Sequence, residues 1–227
     1  RRQRQMCIRD SFMSGDILLN LDSEDEGEIF IGCAGGIDSV AEFSYKEVEV
    51  PAGYFFFKVE VKGLKGGHSG GDIHLGRGNA NKILNRFLSR MANRQDLYLC
   101  EINGGNLRNA IPREAYAICA VPEDAKHDVR TELNIFTSEV ENELAVTEPD
   151  LKLVLESETP RKMAIDQDTT TPLAESIVCC SSRCICHESG YPRTGRDFNQ
   201  PCFCQNETEP YYPHRNQPTQ LYLICTQ

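Results

Sequence analysis

No stretch of this sequence approaches the roughly 20 consecutive apolar residues needed to span a bilayer, so a membrane protein is not expected. Clustered basic residues are scarce as well. With a net charge of −10, the chain lacks the concentrated Lys and Arg that release counterions from a nucleic-acid backbone. Its single basic cluster is Arg1, Arg2 and Arg4. A disulfide framework is missing from the main body, where only Cys7, Cys33, Cys100 and Cys119 of the 11 cysteines lie before residue 178. No secretory signal pattern is visible, and a reducing, cytoplasmic setting is expected. What is present is a globular composition, 40% hydrophobic and 26% charged.

Hydrophobic spacing divides the body into elements. Residues 16–22 (DILLNLD) form a short apolar run ending in an acid, the pattern of a buried strand that delivers a side chain at its tip. Residues 28–33 and 42–50 read as two more strands, and Pro51-Ala52-Gly53 breaks the pattern. Residues 54–61 (YFFFKVEV) are a strand running into a glycine-rich loop that brackets His68. Ile83, Leu84, Phe87, Leu88 and Met91 share one face of a predicted helix over 79–91. Strands follow at 97–102 and 115–121. A second helix to about residue 144 carries Val129, Leu133, Phe136 and Val140 at helical spacing, and a last strand covers 151–155. From Tyr54 onward the order is β-α-β-β-α-β, the ferredoxin-like antiparallel sheet with both helices on one face. The segment before it is expected to belong to a different α/β domain.

Three places could carry chemistry. Residues 22–28 hold five carboxylates, which suits either a cation site or a solvated acidic loop. Among them only Asp22 sits where an apolar strand ends, and ligands collect at the carboxyl ends of strands in open α/β sheets. His68 lies in GLKGGHSGGDIH, where the glycines leave its imidazole unshielded. It could donate to a developing oxyanion, or the loop could be an inert surface feature. His74 alternates with Ile73 and Leu75 and only flanks that loop. In GGNLRNAIP, Asn109 and Arg108 could hold a carboxylate, or Asn109 could cap a hairpin turn.

Taken in order, NLDSEDEGEIFIGCAGGID, GLKGGHSGGDIHLGRGNAN and GGNLRNAIPREA resemble the M20 metallopeptidases, and within them the aminoacyl-histidine dipeptidases. The resemblance covers about residues 14–165. It implies an α/β catalytic domain holding two zinc ions, with a ferredoxin-like α+β lid inserted into it and a homodimer possible through the lid. Asp22 then matches a zinc ligand, His68 the lid histidine that polarises the scissile carbonyl, and Asn109 a lid asparagine that holds the dipeptide substrate. Arg108 is supported by adjacency alone. The implied reaction is hydrolysis of Xaa-His dipeptides by a metal-bound water whose proton passes to a glutamate. The family's His-x-Asp motif, bridging Asp, Glu-Glu pair and final metal-binding His have no counterpart here. One carboxylate does not hold two zinc ions, so these 227 residues alone are expected to be an inactive fragment. Other readings are a different M20 peptidase or deacylase, and a free-standing ferredoxin-like dimerisation or regulatory module.

The resemblance also bears on both ends. Residues 1–11 resemble a sequencing adapter and are set apart from the fold. Residues 12–50 are expected to be a piece of the catalytic domain and 51–170 a partial lid. Residues 171–227 are expected to be an out-of-frame, disordered tail. Permitted codons from Glu175 onward, read one nucleotide later, spell protein-like sequence resembling the family's continuation. A small zinc module built from the late cysteines with His187 and His214 fits poorly, because paired C-x2–4-C knuckles are missing.

Overall fold

The computed structural model describes residues 38–179, the backbone of 200–206 and 220–226, and three isolated positions, Ile17, Leu19 and Gly27. The chain divides into two units, Arg1–Gly35 and Gly36–Gln227. In the first unit, Ile17 and Leu19 are each 82% exposed and in no regular element, unlike the buried strand expected over 16–22. An apolar run becomes a buried strand only where neighbouring elements cover both its faces. Asp22 lies outside the described residues.

The second unit carries the elements in this order: β1 (Asp38–Ser44), β2 (Glu47–Glu49), β3 (Tyr54–Lys62), β4 (Gly67–His68), α1 (Ala80–Ala92), β5 (Tyr98–Gly104), β6 (Ala110–Ile111), β7 (Ala115–Pro122), α2 (Lys126–Leu144), β8 (Lys152–Ser157), β9 (Met163–Ile165), α3 (Gln167–Cys179), β10 (Gln200–Asn206) and β11 (Gln220–Thr226). Its centre is the ferredoxin-like arrangement, with strands side by side as β8-β3-β7-β5 and every pairing antiparallel. Strand periodicity explains the layering. Phe55, Phe57, Val59 and Val61 of β3 point into the core, while Lys58, Glu60 and Lys62 alternate onto the opposite face. The apolar stripes of α1 and α2 close over the first face, with Phe87 and Phe136 in contact at 5.7 Å between ring centroids. Arg86 and Arg90 of α1, and Arg94 just past its end, pair with Glu143, Glu139 and Glu132 of α2 along the outer seam.

Two expectations about boundaries are corrected. The break expected at residue 50 falls inside this unit, because β2 pairs with β9 and Val50 N donates to Lys162 O at 3.0 Å. Pro51-Ala52-Gly53 is therefore a turn, with Gly53 at a φ of 86° and its carbonyl accepting from Glu123 N. Nor is the segment after residue 170 without order where it is described. α3 places Leu173, Ala174 and Ile177 on one buried face, and β10 and β11 pair antiparallel with each other. The helical spacing of those three residues was hidden by Pro172 and the polar run before it.

Asp166 starts α3. Its carboxylate accepts from Thr169 N at 2.9 Å, as an N-cap does, and from Lys46 N at 2.7 Å. Partial burial pushes this carboxyl up, but the amides of Lys46 and Thr169 outweigh it and hold it below the ordinary range. A depressed folded-state value contributes stability above the unfolded value and loses it as pH falls through the folded one. Asp166→Ala is expected to cost about 1–2 kcal/mol at neutral pH. Urea unfolding across a pH series should show the gap between the two proteins closing in acid.

Candidate functional site

The glycine-rich loop leaves β3 at Gly63, whose φ is 81°. A side chain there would overlap the Asp150 carbonyl oxygen, so both conformation and space require glycine. At Gly67 (φ 142°) a Cβ would collide with the side chains of Arg77 and Asp72.

His68 follows on β4, which pairs with β6 in a separate two-stranded sheet, Gly67 opposite Ile111 and His68 opposite Ala110. Ser69 N extends the pairing by donating to Asn109 O at 3.0 Å. Backbone pairing thus joins the histidine loop to the asparagine loop, and both side chains are exposed. Within the loop, Nδ1 of His68 accepts from Gly70 N at 3.1 Å and Gly71 N at 3.0 Å. An accepting Nδ1 leaves the neutral ring protonated at Nε2, so the exposed nitrogen is a donor.

Three residues that sequence reasoning passed over hold this loop. Asp72 Oδ2 accepts from His68 N at 2.8 Å, and Asp72 N donates to His68 O at 3.0 Å. Arg77 Nη1 donates to Gly66 O at 2.6 Å and lies 3.3 Å from Asp72 Oδ2. At the base, the buried carboxylate of Glu148 accepts from Lys65 N at 2.8 Å and Gly78 N at 2.9 Å. Asp72 could have been suspected from its place in the glycine block. Glu148 left no comparable signal. His74 lies exposed in a 3-10 turn over Ile73–Leu75.

A cleft of about 690 Å3 runs between these loops and the helix-free face of the sheet, lined in part by Lys58, Glu60, Lys65, Asn103, Arg113 and Tyr116. Gly67 and Ala110 form part of its rim. Glu60 sits 3.1 Å from both Lys58 and Lys62, and the hydrogen bond from Lys62 holds its carboxyl low against the opposing effect of partial burial. Tyr116 donates to Glu101 at 2.6 Å; that bond, reinforced by burial, pushes its hydroxyl up to about 12. The ammonium of Lys58 lies 4.6 Å from the Tyr116 ring centroid. The cleft floor is polar, and on it Glu60 is paired with Lys58 and Lys62.

Among the described residues, no three His, Cys, Asp or Glu side chains converge as a metal site requires. These residues therefore do not themselves fit a pair of zinc ions. No helix among them is long and apolar enough to cross a membrane.

The sequence model of the M20 peptidase dimerisation domain matches residues 59–148, from β3 to the carboxylate at the loop's base. The cytosol non-specific dipeptidase of Escherichia coli (strain K12) is 49% identical over 158 residues, 70% of this chain. The crystal structure of aminoacylhistidine dipeptidase from Vibrio alginolyticus superposes with a TM-score of 0.81 at 33% identity, covering 95% of this chain. The chain spans 33% of the length of the first relative and 42% of the second. A ferredoxin-like unit with this loop, matched in sequence by one dipeptidase and in fold by another, places the chain in the M20 peptidase family.

Proposed function

We propose that the whole protein is a metal-dependent dipeptidase and that residues 51–170 form part of its lid. The observation that carries this reading is the exposed His68 beside Asn109, its Nδ1 taken by two backbone amides so that Nε2 is left to donate. A fixed donor facing solvent is suited to donate to the carbonyl oxygen of a peptide bond and to strengthen its hold as that oxygen gains charge. The Asn109 amide, on the adjoining loop, would bind the rest of the substrate. Asp22 is the metal ligand this chain would contribute. The described residues do not complete a metal site.

The names of the two relatives, one a non-specific dipeptidase and one an aminoacylhistidine dipeptidase, favour Xaa-His dipeptides within a broader range. A second copy is the expected macromolecular partner. β8 ends the sheet as an edge strand among the described residues, and an edge is open to pairing. The unpaired Cys100 and Cys119, and the word cytosol in one relative's name, favour a cytoplasmic setting.

The test is hydrolysis of a panel of free dipeptides, carnosine-like ones included, by the whole protein with and without chelator. Hydrolysis that the chelator abolishes is expected, together with none by these 227 residues alone. A whole protein inert toward every dipeptide would refute the reading.

A further inference from the structure

We infer that Asp72 and Arg77 are positioning residues that hold His68 with its Nε2–H aimed outward; the inference rests on the catalytic role proposed for His68. The hydrogen bonds define a closed frame. Asp72 grips His68 from both sides of its peptide unit, accepting from its N–H and donating to its carbonyl. The chain turn this enforces brings Gly70 N and Gly71 N onto Nδ1. Arg77 closes the frame by holding the Gly66 carbonyl and the same Asp72 oxygen that receives His68 N.

The absence of a side chain at Gly67 belongs to the same device, since a Cβ there would occupy the space taken by Arg77 and Asp72. Neither residue touches the ring itself. They act on the backbone that presents it, and the ring's tautomer follows from that backbone. A loop lacking the Asp72 contacts would free the two glycine amides from Nδ1, and the ring would exchange between tautomers. The rings in the other tautomer would then present an acceptor where a donor is needed.

The test combines kinetics of the whole protein with nitrogen NMR of the His68 imidazole in Asp72→Ala, Asp72→Asn and Arg77→Met. Asp72→Ala should lower kcat on the order of 10²-fold with KM changed less than about twofold, the signature of a misplaced donor. Asp72→Asn, which keeps an oxygen for His68 N, should recover about a tenth of the parental rate. The parental ring should give a single Nε2–H tautomer, and Asp72→Ala a mixture. Arg77→Met reports on the same frame with Asp72 intact and should show a smaller loss of the same kind. A kcat within about twofold of the parent in all three variants overturns the inference, whatever the ring does. Intact hydrolysis after His68→Ala would instead overturn the proposed role of His68, while the NMR result would still report on the frame.

Discussion

Replacing His68 with alanine in the whole protein is expected to lower kcat by about 10²–10³-fold, the range for losing one donor to a developing oxyanion. The direction follows from the tautomer. With Nδ1 occupied by Gly70 N and Gly71 N, the ring can only donate from Nε2 while neutral, and alanine removes that donor. KM should change little, because a ground-state carbonyl uses the bond weakly and the transition state uses it fully. The fold should not notice. His68 is exposed, and the two glycine amides it releases can turn to water, so unfolding free energy should shift by less than about 0.5 kcal/mol. Steady-state kinetics with a parallel denaturation curve separates the two effects. A variant that hydrolyses dipeptides at the parental rate would remove His68 from the mechanism.

How far this site could be seen in the sequence depends on which atoms make it. The helices α1 and α2 were legible because Ile83, Leu84, Phe87, Leu88 and Met91, and then Val129, Leu133, Phe136 and Val140, repeat at helical spacing and are buried on that face. β3 was legible for a similar reason, its period of two separating Phe57, Val59 and Val61 from Lys58, Glu60 and Lys62. The ladder between β4 and β6 was not. It consists of two residues on each side and is made by backbone atoms, so no side-chain period marks it. Without it His68 and Asn109 were separate candidates; with it His68 stands on β4 and Asn109 directly before its partner strand β6. The loop's clamps were hidden by distance along the chain, since the partners of Glu148 are amides 83 and 70 residues before it. The early residues 42–50 were read as alternating strand, and the structure keeps that character but splits it into β1 and β2 and joins it to the ferredoxin-like unit's sheet through β9. Pairing partners of that kind are chosen in three dimensions and leave no local trace.

Glu148→Ala is expected to cost about 3 kcal/mol of stability, the largest loss predicted for any single side chain here. Glu148 is 2% exposed and makes no ion pair among the described residues; its oxygens are taken by the amides of Lys65 and Gly78. Those amides stand at the two ends of the histidine loop. Truncation to alanine strands them together, and Gly78 is itself buried, so water does not replace what is lost there. Each orphaned buried donor costs about 1–3 kcal/mol. Glu148→Gln should fall between the two proteins, because its amide oxygen serves one N–H while its NH2 group faces the other. For a domain of this size, 3 kcal/mol corresponds to a drop in Tm of about 6–12 °C. Hydrogen exchange adds a local reading: protection of the Lys65 and Gly78 amides should fall further than that of the β3 and β7 core. A loss below about 1 kcal/mol in Glu148→Ala would mean that the loop's base is held by the packing around Leu64 and Leu144 rather than by this carboxylate.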